Sequence, residues 1–388
     1  MGLKNEAGSA YGTKKFYREY VSGMNTRQLG KEFHADSDRL KKLYRDAVHE
    51  VNPTVPHEDV PAFQKFLSLL SALTRRLNPV RRLIFGITIV SFVMHYFLSL
   101  IGLTIYPIQP LLLPLSFIGV MAILLIELLE KSDVQQELNF ARDIQLSLLP
   151  PSSMRKNGFE AYSFAATAQE VGGDYVDVIN TPKGTYVIIA DVSGKGMSAA
   201  LYMVRIQALV HLLINKLHPT PKELFLELNE YIKSNKTDKT FVTACAAFFP
   251  DNEDYFIFSR AGHNQPIFFS RELDSTINLK TKGLALGMTS TKILDKKLDE
   301  KKFKFQQGDS IIFYTDGLTE ARNSSGEEFS EERLDGLMSI YGSLHAKSIS
   351  LKVQSSIESF IGEEPPMDDI TFTTVHRPEP VTEISLSG

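Results

Sequence analysis

Between Arg82 and Glu127 the chain carries no Asp, Glu, Lys or Arg, a charge-free window of 44 residues. Wound as a single helix it would reach about 66 Å at ~1.5 Å per residue, roughly twice the thickness of a bilayer core. The stretch Tyr106-Pro-Ile-Gln-Pro110 places two prolines near its middle, where a tight hairpin turn belongs. The pattern predicts two membrane spans, Leu83–Ile105 and Leu111–Leu129, with His95 and Pro114 tolerated inside them. A buried helical hairpin is the soluble alternative. Arg75, Arg76, Arg81 and Arg82 precede the first span, Lys131 follows the second, and the turn between holds no basic residue. The positive-inside bias therefore places both ends in the cytoplasm of a multi-pass protein of the inner, cytoplasmic membrane.

The pattern on either side is helical. Residues 1–82 read as a cytoplasmic, helical segment: Phe16, Tyr20 and Met24 recur every four positions, and DSDRLKKLYRDAVHEV forms a second amphipathic run. It reads equally as a docking region, as helices lying on a membrane surface, or as a solvated spacer. Residues 130–150 continue directly from the second span, with good helix formers and no Gly or Pro before Pro150-Pro151. Leu128 or Leu129, Val134, Leu138, Ala141, Ile144 or Gln145, and Leu148 step by threes and fours. This narrow seam with charged flanks suits a short coiled coil and hence a homodimer. An ordinary amphipathic helix packed on its own domain is the competing reading.

From about Phe159 the period changes to short, apolar, strand-like runs. Strands are predicted at Ala161–Ala166, Tyr175–Ile179, Thr185–Ala190, Phe241–Phe249, Tyr255–Arg260, Ile267–Ser270, Ser310–Thr315 and Ile370–Val375. Helices are predicted at Ala199–Leu217, Pro221–Ser234, Ser330–Tyr341 and Ala346–Phe360. Helices that come in pairs rather than one after each strand indicate an α+β domain over residues 151–378, sheet on sheet with helices outside, and not a doubly wound parallel sheet. Residues 379–388 read as a disordered tail.

Composition narrows the chemistry. A net charge of −4 over 388 residues argues against nucleic-acid binding. The single cysteine, Cys245, sits in the apolar run FVTACAAFF, which excludes an internal disulfide and any cysteine-rich metal site.

Four acidic segments each stand beside a strand end and a glycine turn or a second acid. They are Gly172-Gly-Asp-Tyr-Val-Asp177, Ala190-Asp191, Tyr314-Thr-Asp-Gly317 and Met367-Asp-Asp-Ile-Thr371. No Cys or His accompanies them at ligand spacing, and clustered carboxylates without softer partners suit hard cations such as Mg²⁺ or Mn²⁺. Without such a cation, several buried aspartates would repel and hold their protons.

These segments carry a resemblance. VGGDYVDV, ADVSGKGMSAAL, AGHNQP, GDSIIFYTDGLTEA and DDITF, in this order, resemble the SpoIIE/RsbU-type branch of the metal-dependent (PPM) serine/threonine protein phosphatases, and ARDIQLSLLP is similar to the helix that leads into that domain. The likeness covers about Leu138–Val375 and does not extend to residues 1–130. It implies a PPM-type α-β-β-α sandwich and a site for two Mn²⁺ or Mg²⁺ ions acting through metal-bound water. Asp191 would bridge the two ions, helped by the Val192 backbone carbonyl. Asp174 would hold one ion, and Asp316 and Asp368 the other, with Asp369 a further ligand. Asp177 would stand in the outer shell, and Lys195 and His263 are candidate substrate contacts. The substrate implied is a phosphorylated protein, namely a STAS-type anti-sigma-factor antagonist in bacterial signalling. The eukaryotic branch has a histidine just after its bridging aspartate; Ser193-Gly-Lys195 stands there in this chain, leaving the general acid unassigned.

Two other readings compete with a phosphatase. A catalytically silent membrane adaptor would keep the fold and bind a partner without turnover, although the complete aspartate set argues against it. A two-metal nucleotide cyclase or phosphodiesterase would share the acids, but no base-binding signature accompanies them.

Overall fold

The computed structural model describes residues 77–103, 105–156, 158–234 and 240–379, together with Gln64 and Thr74. The helices expected over residues 1–76 and the tail beyond Glu379 lie outside the described residues. The chain divides into two compact units, Met1–Ser132 and Asp133–Gly388.

In the first unit, helix α1 spans Pro79–Leu100 and is followed by the start of helix α2, Ile108–Ser147. Asn78 caps α1 through its side chain, which accepts from the Val80 N–H at 3.0 Å, and Pro79 suits the first helical position. The charge-free pattern predicts a first span running to Ile105, yet α1 ends at Leu100, whereas α2 is unbroken over 40 residues with Pro114 inside it. The second predicted span and the predicted connecting helix are therefore one element. Arg81 pairs with Glu127 at 2.9 Å and with Glu130, fastening the open end of the hairpin. A cleft of about 710 Å³ between α1 and α2, lined by residues such as Phe92, Leu113 and Phe117, contains no titratable group. Large apolar side chains, among them Leu83, Val90, Phe97 and Phe117, face outward on these helices.

The second unit is a two-sheet sandwich. The elements follow as β1 (Ser153–Lys156), β2 (Phe159–Ala166), β3 (Asp174–Thr181), β4 (Gly184–Val192), α3 (Met197–Leu217), α4 (Pro221–Ser234), β5 (Val242–Pro250), β6 (Tyr255–Ala261), β7 (Ile267–Ser270), β8 (Ser275–Asn278), α5 (Thr291–Lys297), β9 (Glu300–Lys304), β10 (Ser310–Tyr314), α6 (Asp316–Thr319), α7 (Glu331–Tyr341), α8 (Ala346–Ile361) and β11 (Ile370–His376). One sheet has the order β1-β2-β11-β10-β7-β8 and the other β3-β4-β5-β6-β9, and all of these strand pairs are antiparallel.

Period-two alternation decides which core each side chain joins. Val187 and Ile189 on β4 face the other sheet with Cys245, Phe256, Phe258 and Phe313, filling the space between the sheets. Tyr186, Ile188 and Ala190 face the opposite way, onto α3 and α4. Ile312, Tyr314 and Phe372 on the outer face of the six-stranded sheet pack under α7 and α8. The result is the α-β-β-α sandwich that the resemblance implies. Among the described residues, three helices are long and apolar enough to cross a membrane: α1, α2 and α3. Helix α3 differs from the other two in burying Met203, Ile206, Val210 and Ile214 in its domain core, which identifies it as a core helix.

Candidate metal centre

The site starts from β4, a strand so apolar that residues 187–190 are almost wholly buried. It pairs with β3 in a register that sets Asp174 directly opposite Asp191. Asp191 shares the inward face of Val187 and Ile189, so its carboxylate points between the sheets at one end of the sandwich. Like charges opposed on neighbouring strands destabilise a sheet, so this register calls for a compensating cation.

The facing sheet delivers the remaining acids to that end. β10 and β11 are neighbours; Asp316 follows the tip of β10 and Asp368-Asp369 precede β11. The Thr315 hydroxyl donates to Asp174 Oδ2 at 2.8 Å, tying the two sheets together at the site. Thr315 N–H also donates to the Thr371 carbonyl at 2.9 Å, holding the two acidic segments side by side.

Glycines let these segments meet. A Cβ at Gly317 would overlap the Asp369 carbonyl, and one at Gly172 would overlap the Asp369 carboxylate. Gly194 and Gly196 flank Lys195 at φ 113° and 71°, a left-handed turn that leads β4 into α3. Gly317→Ala is expected to cost about 1–3 kcal/mol through overpacking, visible as a lowered thermal midpoint; an unchanged midpoint would mean the segments have slack.

The two neighbouring acids have different tasks. Asp369 accepts from the Ala168 N–H at 2.9 Å and the Gly173 N–H at 2.8 Å, so both its oxygens already hold backbone. Asp368 is half exposed and pairs with Lys195 Nζ at 2.7 Å, while that ammonium also donates to the Met367 carbonyl at 3.1 Å. Lys195 therefore stands at the mouth of the acidic cleft rather than free in solvent. The Val192 carbonyl borders the same space, 3.1 Å from the position of a Cβ on Gly173.

Proton affinities record the crowding. Burial, then the charges of Asp316, Asp368 and Asp369, push the Asp191 carboxyl up to about 7, with Lys195 opposing. Burial holds Asp174 well above the usual carboxylate range; the Thr371 and Thr315 hydroxyls oppose this, and the charges of Asp191 and Asp369 add to it. Asp316 is raised by burial and then by Asp368, and Asp369 by burial against its two N–H donors. A set of oxygen donors with this much mutual repulsion fits a hard divalent cation, whose charge removes the penalty. The residues present thus fit Mg²⁺ or Mn²⁺.

Two expected site residues lie elsewhere. Asp177, three positions after Asp174, projects from the opposite face of β3, because odd spacing on a strand reverses the side. It lies against the helical layer, accepting from the Tyr175 hydroxyl at 3.0 Å and meeting His211 Nε2 at 2.6 Å, so it is no outer-shell ligand. His263 is buried, with Nδ1 2.8 Å from the Thr243 hydroxyl and its carbonyl accepting from Arg260. Burial lowers its proton affinity to about 3, and it organises its loop instead of meeting substrate.

Other contributors carry no motif in the sequence. Thr315 carries no charge and so gave no signal. Glu320, one turn after Asp316, adds another acid to the rim: its carboxyl is raised by burial and by Asp316. Gln145, a polar residue at an apolar seam position, is buried; its side chain accepts from the Gly172 N–H at 3.0 Å and donates to the Gly172 carbonyl at 2.6 Å. Gln207 of α3 donates to the Leu148 carbonyl at 2.6 Å. The end of α2 is thereby bonded both to the Gly-Gly-Asp turn and to the helix after Asp191.

The chain is 27% identical over 199 residues to the phosphoserine phosphatase RsbU of Bacillus subtilis, covering 50% of this chain and 57% of that one. It is 25% identical over 270 residues to protein IcfG of a Synechocystis species, covering 62% of this chain and 41% of that one. The match thus spans about half the length of these curated relatives. Among solved structures, the SiaA-PP2C domain of Pseudomonas aeruginosa superposes with a TM-score of 0.56 at 19% identity, over 64% of this chain and 99% of that one. The RsbU and RsbW domains of Rv1364c from Mycobacterium tuberculosis give a TM-score of 0.50 at 22% identity, over 60% and 63% of the two chains. The profile of the family described as Stage II sporulation protein E (SpoIIE) matches residues 181–378, from the hairpin before Asp191 to the end of β11. Half of the chain thus carries that family's pattern on a PP2C-type sandwich, and the chain belongs to the SpoIIE family.

Proposed function

We propose that this chain is a membrane-anchored, divalent-metal-dependent protein phosphatase acting on phosphoserine or phosphothreonine. The observation that carries this is the direct opposition of Asp174 and Asp191 in register, with Asp316 and Asp368 brought to the same end by the facing sheet. Asp174, Asp191, Asp316 and Asp368 would hold two Mn²⁺ or Mg²⁺ ions, with the Val192 carbonyl beside them and Asp369 fixing the backbone around them. Bound divalent ions supply a water acidic enough to attack at neutral pH and neutralise phosphate charge. This chain's own residues set the geometry: Thr315 orients Asp174, Asp369 fixes the Gly-Gly-Asp turn, and Lys195 adds a positive charge at the mouth that suits a phosphate. RsbU's description as a phosphoserine phosphatase supports the substrate class, and the family resemblance favours a STAS-type anti-sigma-factor antagonist in a partner-switching pathway.

The outward apolar faces of α1 and α2 support a two-span anchor, with residues 1–82 and 130–388 in the cytoplasm. Leu128, Leu129, Val134 and Ile144 of the seam are exposed in the single chain, which supports a dimerising coiled coil over residues 130–150 that leads into a phosphatase domain at 151–378. Because Gln145 holds the Gly172 backbone, a turn of this helix would reach Asp174 through two residues. Inserting one residue after Asn139 rotates the seam by about 100° relative to the domain and is expected to change the phosphate-release rate. Unchanged basal and stimulated rates would make the helix a tether only.

The test of the activity is phosphate release from a phosphoserine peptide by the full chain in detergent, with and without Mn²⁺. Turnover that appears with Mn²⁺ and vanishes with chelator supports the phosphatase. Peptide binding without turnover would favour the silent adaptor instead.

A further inference from the structure

At the far end of β11 from the catalytic acids, three other ligand-type side chains converge. His376 ends β11 and is paired in register with Glu160 on β2. His345 is the N-cap of α8. One ligand atom from each of Glu160, His345 and His376 lies within 4.8 Å of the others. The two imidazoles meet edge to face, with ring centroids 5.8 Å apart. The six residue steps from Ile370 to His376 place this cluster about 20 Å from the acidic cleft at ~3.3 Å per residue, so it is separate from it.

Ordinary capping accounts for only part of the arrangement. Glu160 Oε1 accepts from the Ala346 N–H at 2.9 Å and lies 2.8 Å from His345 Nδ1, which explains those two residues as a helix cap. It leaves His376 unexplained: the residue is 3% exposed and its Nδ1 has no hydrogen-bond partner among the described residues. A buried polar nitrogen without a partner is costly, and here it sits on the ring that meets His345 edge to face. Burial also lowers the proton affinity of His376, keeping the ring in the neutral form that binds metals. His345, by contrast, is two-thirds exposed and opens the cluster to solvent.

We propose that Glu160, His345 and His376 form a second divalent-metal site of transition-metal type, taking Zn²⁺. Two imidazoles and one carboxylate select a borderline ion over Mg²⁺, the reverse of the all-carboxylate cleft. The ligand atoms must close by on the order of 1 Å to reach bonds of ~2.1 Å, a movement that the exposed His345 side chain allows. A bound ion would join β2, the last residue of β11 and the start of α8, three segments otherwise far apart in the chain. It would supply the partner that His376 lacks and leave a position open to water beside His345.

The test uses untagged full-chain protein in detergent, stripped with chelator and then kept in excess Mg²⁺ so that the catalytic carboxylates are occupied. Co²⁺ is titrated in as the probe, and its visible ligand-field bands are followed, with Zn²⁺ competition and thermal unfolding in parallel. The expected result is one equivalent of Co²⁺ giving the intense bands of a low-coordinate site, displaced by Zn²⁺, and a higher thermal midpoint with Zn²⁺. His345→Ala, at an exposed position, and Glu160→Gln are each expected to lower the affinity at least about tenfold while leaving Mn²⁺-supported phosphate release unchanged. No visible bands in the Mg²⁺-saturated wild type would overturn the proposal. Bands that persist at full strength in both variants would equally overturn it, since the ion would then be bound elsewhere.

Discussion

Asp191→Asn leaves a folded protein whose phosphate release falls at least ~10³-fold, an increase of about 4 kcal/mol in the barrier. The substitution keeps the shape of the side chain and removes only its charge and one anionic oxygen. Asp191, on one sheet, meets the fields of Asp316, Asp368 and Asp369, which the facing sheet delivers. Losing Asp191 should cripple cation binding. Asp316→Asn, at the tip of β10, is expected to cause a loss of the same order. Both variants should keep the circular dichroism of the parent, because neither residue fills the apolar core. Turnover at the parent rate by either variant would remove that residue from the mechanism.

The second large effect is a pH dependence of stability in the metal-free protein. Asp174, Asp191, Asp316 and Asp369 all hold protons more tightly folded than a carboxyl does in an unfolded chain, where titration falls near pH 4. A raised acid contributes stability that is complete below its unfolded value and is lost as pH rises through its folded value. For Asp191 that window runs from roughly pH 4 to about 7. Chelated protein should therefore lose stability across this range, relative to an Asp191→Asn variant that lacks the buried charge. At pH 7 the variant should melt higher than the metal-free parent by several degrees, and the gap should close towards pH 4. Adding Mn²⁺ at pH 7 should reverse the order by stabilising only the parent. Parallel melting curves for the two proteins at all pH values would mean that burial and the neighbouring acids do not hold the Asp191 carboxyl above its ordinary range.

Much of this architecture is legible in the chain because its strands are buried on both faces. VIIA before Asp191 and IIFY before Thr315 are continuous apolar runs, and both form central strands. The strands the pattern misses are β1 (SMRK), β8 (STIN) and β9 (EKKFK), which lie at sheet edges and are largely exposed. Edge strands carry charge to prevent further pairing, so their hydrophobic alternation is erased. The predicted second span and the predicted connector merge because nothing in ELLEKS terminates a helix, so they form one element.

The site was legible as a set of acids but not as a geometry. Asp177 was misplaced although strand parity already separates it from Asp174. Which of Asp368 and Asp369 would turn to the backbone depends on Ala168 and Gly173, about two hundred residues earlier, and no local spacing encodes that. His345, His376 and Glu160 likewise have no common motif; the pairing of β2 with β11 and the capping of α8 by Glu160 bring them together.

The central claim is that acids from four separate segments form one cage for divalent ions. Crystals of the Mn²⁺-loaded protein, measured for manganese anomalous scattering, test it most directly. The account predicts two anomalous peaks enclosed by Asp174, Asp191, Asp316 and Asp368. Peaks elsewhere on the molecule, with those four side chains turned away from one another, would contradict it.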